Sequence, residues 1–131
     1  MKIYIYRVNG DYRMGDPVRA LTARAIIDEI KNLDLLTNVK ETGEYLYDGL
    51  EKISKRYPNR MANLRGRGDG TFIAWDESSL ATRDAFLLKM KKLGVNAGGT
   101  GQAGVRLRPM LIFGKRHVDI FLERLETCLA S

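Results

Sequence analysis

Apolar and polar positions change period several times along the 131-residue chain. Residues 1–9, MKIYIYRVN, alternate, with Ile3, Ile5 and Val8 on one side, and this predicts a strand. A loop, GDYRMGDP, leads to Asp16-Pro17. A carboxylate there accepts from the open N–H groups of a helix start, and proline in the first helical position sacrifices no hydrogen bond. A helix is therefore expected through VRALTARAIIDEIKN, burying Val18, Leu21, Ala25 and Ile26. The clearest period follows. Leu36, Val39, Gly43, Leu46, Leu50, Ile53 and Tyr57 are spaced alternately by three and four, one apolar seam on a long helix that stops at Tyr57, ahead of Pro58. Such a seam packs within the domain or against a neighbouring subunit. Gly43 inside it would admit another element at close range, at about 1 kcal/mol in helix propensity.

MANLRGRGDGTFIAWD, residues 61–76, reads as two strands around a tight hairpin at Asp69-Gly70. SSLATRDAFLLKMKKLG is a third helix, capped by Ser78 or Ser79, stopped by Gly94, with Lys91 and Lys92 at its C-terminal dipole. A short strand over 95–97, a glycine loop, a strand over 105–113 and a last helix complete the chain, the last helix burying Val118, Phe121, Leu122, Leu125 and Cys128 or Leu129. This order predicts an α+β fold: long N-terminal helices, then an open, largely antiparallel sheet covered by helices. No internal repeat and no linker divides it.

Composition narrows the class. At 44% apolar and 29% charged the chain is neither disordered nor fibrous, and its length suits one domain. No apolar run is long enough to cross a bilayer, and the start lacks a signal-peptide pattern, so an intracellular place is expected, with no membrane partner. Cys128 is the only cysteine, which excludes an internal disulfide and a thiolate metal cluster. The net charge of +6 admits a nucleic-acid partner, and RGRG at 65–68 together with GKRH at 114–117 would carry it. The basic residues are nevertheless spread over every segment among 16 acids, unlike a basic face.

Gly99, Gly101 and Gly104 match the spacing of a dinucleotide-binding loop, but VRLRP follows where that loop would open a helix, so the match is a coincidence of spacing. Arg106 and Arg108 alternate with Val105 and Leu107, which sends both guanidinium groups from one strand face. Two such forks suit a carboxylate or a phosphate, although a solvated edge strand would look the same. His117, the only histidine, reads as a surface or capping residue, with no triad and no metal set around it. Lys89, Lys91 and Lys92 sit on a charge-rich helix that does not suit a Schiff-base lysine. The residues alone give no catalytic constellation.

From MGDPVRAL through LRGRGDGTFIAWD and LGVNAGGTGQAGVRLRPMLIF to the end, in that order, the chain resembles the C-terminal part of the GABA (4-aminobutyrate) aminotransferases, of the class III pyridoxal-phosphate enzymes. The resemblance covers residues 14–131 and not residues 1–13, where Asp11, Tyr12 and Arg13 replace an Asn-Thr-Trp run of the family. It implies the small C-terminal domain of a fold-type I aminotransferase, and a transfer of the amino group of 4-aminobutyrate or a related ω-amino acid to 2-oxoglutarate by a homodimer. On it, Arg106 would bind a carboxylate of 2-oxoglutarate or glutamate and exchange with a large-domain glutamate when the smaller amino acid binds. The aldimine lysine, the aspartate at the pyridine nitrogen and the phosphate site of pyridoxal phosphate lie outside the matching region, which implies a fragment, inactive alone, of a cytoplasmic or mitochondrial-matrix enzyme. Two further roles compete: the nucleic-acid module above, and a non-catalytic domain joining full-length subunits through the Leu36–Tyr57 seam.

Overall fold

A computed structural model describes residues 16–130. The strand expected over 1–9, and Asp11, Tyr12 and Arg13, lie outside the described residues. The chain divides into two compact units between Asp34 and Leu35. In the first, helix α1 spans Pro17–Asn32, and the Asp16 carboxylate accepts from Val18 N and Arg19 N at 3.0 and 3.2 Å, the start that Asp-Pro encodes. The expected burial of Val18, Leu21, Ala25 and Ile26 does not occur; no residue of α1 is buried, and Val18 and Leu21 are each 68% exposed. Spacing defines a helix face but not what covers it.

The second unit runs through α2 (Leu35–Arg56), β1 (Ala62–Arg65), β2 (Ile73–Asp76), α3 (Leu80–Lys92), β3 (Gly98–Thr100), β4 (Gly104–Leu107) and α4 (Lys115–Ala130). All strand pairs are antiparallel, in the order β1-β2-β4-β3. This is the α+β architecture expected from the element order. Leu46, Leu50 and Ile53 of the seam are at most 2% exposed and pack with Trp75, Phe86, Val105, Val118 and Leu125 into one core. Each such aliphatic side chain contributes about 1.5–3 kcal/mol. Leu36 departs from the expectation: it is exposed, and Leu35 and Thr42 are buried instead. The seam is consumed inside the domain, so it is not a free surface for joining other subunits.

Gly43 makes the expected close approach. A Cβ at this position would lie 2.1 Å from the carbonyl oxygen of Gly70, so helix and loop meet backbone to backbone. The loop between β1 and β2 is longer than the tight hairpin expected, running over 66–72, with Gly70 left-handed at φ 62°. Arg67 ties it to α2 through Glu44 and Asp48, both at 2.9 Å, and lies over the Tyr47 ring. Helix α3 begins as expected, with Ser79 Oγ accepting from Thr82 N at 3.1 Å, and Gly94 follows its end at φ 83°.

Two strand boundaries differ from expectation. The strand placed over 95–97 lies over 98–100, because the glycines themselves pair with β4, Gly98 opposite Arg106 and Gly99 opposite Val105. The strand placed over 105–113 stops at Leu107. Pro109 has no N–H to extend the ladder, and residues 108–114 form a loop instead. Helix α4 buries Val118, Phe121, Leu125, Cys128 and Leu129, with Leu122 partly covered.

Candidate functional site

Strand β4 lies inside the sheet, and its register sorts its residues by face. Val105 stands opposite Trp75 and Leu107 opposite Ile73 on the core side, all four buried. Arg106 stands opposite Ala74 on one flank and Gly98 on the other, and directly opposed residues share a face. Its two neighbours are therefore the smallest residues available, and the half-buried Arg106 side chain has lateral room. The nearest carboxylate along β2 is Asp76, already held by Arg65 at 3.0 Å and Asn63 at 3.1 Å. These hydrogen bonds, Arg65 first, keep the Asp76 carboxyl below the usual carboxylate range. With Asp76 taken, neither Arg106 nor Arg108 has an ion-pair partner among the described residues.

Both arginines line a cleft of about 780 Å³ between the β3–β4 hairpin, the 108–114 loop and the start of α4. Its wall is apolar where Val95, Leu107, Phe113 and Phe121 contribute. Arg108 is exposed, beyond the end of the strand, with its guanidinium 5.9 Å from the Phe72 ring centroid. The cleft thus joins guanidinium groups to an apolar wall, an arrangement suited to an anion on a short hydrocarbon chain.

Contacts outside the expected motifs hold this arrangement. Asn38 of α2 donates through Nδ2 to the carbonyls of Leu111 (2.9 Å) and Phe113 (3.0 Å), pinning the loop beyond Arg108. From α3, Arg83 donates to the Gly101 carbonyl at 3.0 Å, and a Cβ on Gly99 would sit 3.1 Å from its Cζ. Gly101 is left-handed at φ 54°, and a Cβ on Gly104 would meet the Thr100 carbonyl at 2.8 Å. The three glycines therefore serve a flat, tightly turned hairpin beneath Arg83, and no helix starts there to receive a phosphate. No sequence signal marks Asn38 or Arg83; each is one polar residue in an ordinary helix.

His117 caps α4: its Nδ1 accepts from Gly114 N at 3.1 Å, and its ring stacks on Phe113 at 5.4 Å. The expected capping role is thus present, and the ring also lines the cleft. The arginines of RGRG are engaged by Asp76, Glu44 and Asp48, so they form no open basic stripe for nucleic acid. Among the described residues no group of three or more His, Cys, Asp or Glu could hold a metal ion, and no helix is long and apolar enough to cross a membrane.

Residues 7–129 match the family model described as Aminotransferase class-III. The chain belongs to the class-III aminotransferases. Over 92% of its length it is 56% identical to 4-aminobutyrate aminotransferase of Emericella nidulans, and over 86% it is 52% identical to the enzyme of that name from Schizosaccharomyces pombe. The human mitochondrial 4-aminobutyrate aminotransferase is 35% identical over 96% of the chain. In each case the chain spans about a quarter of the relative, 24%, 24% and 26%. Among solved structures, a phospholyase from Arthrobacter in complex with phosphoethanolamine superposes with a TM-score of 0.82 at 27% identity, covering 98% of this chain and 33% of that one. The lysine aminotransferase of M. tuberculosis in its internal aldimine form gives 0.78 at 25% identity, covering 83% and 25%. A class-III aminotransferase domain of this kind takes up the sheet and helices described above. Pyridoxal phosphate, the cofactor of such enzymes, does not fit the cleft of this domain: its lining includes no lysine for an aldimine and no carboxylate for the pyridine nitrogen.

Proposed function

We propose that residues 14–131 are the small C-terminal domain of a transaminase that moves the amino group of 4-aminobutyrate, or a related ω-amino acid, to 2-oxoglutarate, and that Arg106 holds a carboxylate of the dicarboxylic partner. The observation that carries this is the Arg106 guanidinium, without an ion-pair partner among the described residues, between Ala74 and Gly98 and beside a cleft with an apolar wall. The names of the relatives support the donor and the reaction. Pyridoxal phosphate supplies the electron sink for such chemistry. This chain's share is confined to binding and orienting substrate: the Arg106 fork takes the carboxylate bidentately, and the apolar wall excludes water from the methylenes. In this reading the chain is inactive alone and works in a homodimer of full-length subunits, in the cytoplasm or the mitochondrial matrix.

The test replaces the corresponding quarter of the Emericella nidulans enzyme with residues 14–131. The chimera should transaminate 4-aminobutyrate with 2-oxoglutarate. Arg106→Ala in it should lower kcat/KM for 2-oxoglutarate by an amount equivalent to about 2–5 kcal/mol, the cost of removing one partner of a buried charge pair. Unchanged use of 2-oxoglutarate by that variant removes Arg106 from the site.

A further inference from the structure

The arginine reading leaves two neutral polar side chains of the cleft unused, Asn96 and His117, and the second is held by specific contacts. His117 Nδ1 accepts a hydrogen bond from the Gly114 backbone N–H, so that nitrogen carries no proton and the ring hydrogen sits on Nε2. The stack on Phe113, with the planes 25° apart, fixes the ring's orientation. Phe113 is itself fixed, because its carbonyl accepts from Asn38. No protein acceptor takes the Nε2–H among the described residues, and the imidazole lines the same cleft as Arg106 and Arg108.

We infer that His117 is a ligand-binding residue, its Nε2–H donating to an oxygen of the dicarboxylate that Arg106 engages. The inference rests on the reading of Arg106 given above and adds a neutral, directional donor to two cations. The guanidinium groups supply charge, which attracts any anion. An imidazole locked in one tautomer supplies direction, which selects among anions by where the second oxygen lies. The capping bond is what makes the residue a donor: it occupies the acceptor nitrogen and leaves only the donor of this exposed ring free.

Two substitutions separate the cap from the donor. Gln and Glu both provide an acceptor for the Gly114 N–H at this third helical position, as in a capping box. Only Gln keeps a donor, while Glu brings a negative charge into the cleft. The full 131-residue chain is titrated with succinate, a dicarboxylate without a reactive carbonyl, while the imidazole nitrogens are followed by NMR. In the wild type, Nδ1 should carry no proton and the Nε2 resonance should shift on binding. His117→Gln should retain most of the affinity. His117→Glu should lose about tenfold or more, through loss of one hydrogen bond to a charged group together with repulsion by the added carboxylate, with an unchanged unfolding midpoint. The contrast with His117→Gln, which keeps the donor, therefore carries the test. A protonated Nδ1, or wild-type affinity in His117→Glu, overturns the inference. Arg106→Ala is titrated in parallel. Normal succinate binding by Arg106→Ala with loss in His117→Glu overturns the arginine reading and keeps the imidazole donor, and the opposite pattern does the reverse. No saturable binding by the wild type overturns both.

Discussion

The contact between α2 and the 66–72 loop allows a stability prediction from geometry. Gly43→Ala places a methyl group 2.1 Å from the Gly70 oxygen and 2.3 Å from its carbonyl carbon. Both are backbone atoms, so no side chain can rotate away, and the loop must withdraw by more than about 1 Å to reach van der Waals separation. The loop is not free to do so. Arg67 anchors it at 2.9 Å to both Glu44 and Asp48, on the turns that follow Gly43. Alanine gains about 1 kcal/mol in helix propensity, against overpacking of about 3 kcal/mol, the upper part of the usual range because backbone must move. The expected net loss is about 2 kcal/mol, a fall in Tm of about 10 °C for a unit of this size. Trp75, the only tryptophan and fully buried, reports the transition by fluorescence in urea. A midpoint equal to or above that of the wild type would refute the reasoning, since propensity alone would then decide the outcome.

Two further outcomes follow from the described side chains. Arg65, then Asn63, hold the Asp76 carboxyl below its usual range, so the folded state favours the charged form. That stabilisation is present above the unfolded carboxylate pKa, about 4, and is lost as pH falls through the lower folded value. Asp76→Asn should therefore cost about 1 kcal/mol or less near neutrality, with the gap to wild type closing in acid; a pH-independent gap in urea midpoints would show that the charge contributes nothing. Cys128 is buried, and burial pushes its thiol pKa up. Modification by a disulfide reagent should proceed at the rate of unfolding, and a rate as fast as in denaturant would contradict this burial.

Helix starts, and the end of the long helix, were legible because their signals are local. Asp16-Pro17 and Ser79 place a side-chain acceptor beside open N–H groups, and Pro58 restricts the residue before it, so no tertiary information is needed. Strand ends were less so. Glycines 98 and 99 have little intrinsic strand preference and become β3 only through pairing with β4. Pro109 was visible, yet its effect on the length of β4 depended on whether the ladder continued. The strand face of Arg106 was legible from its alternation with Val105 and Leu107. The small neighbours that give it room come from register, and the fixing roles of Asn38 and Arg83 span tens of residues with no short-range trace. The α1 face shows the same limit from the other side, since a regular stripe gave no sign that it would stay uncovered.

Arg106 has backbone partners on both flanks, Ala74 and Gly98. A ligand arriving at its guanidinium therefore meets a residue whose main chain is held twice, and the adjustments left to it are rotations about its own side-chain bonds. Side-chain rotations of this kind are faster than the collective closures of domains, which take microseconds to milliseconds. On the proposed reading of Arg106, exchanging one carboxylate for another there would ask for no movement of the main chain.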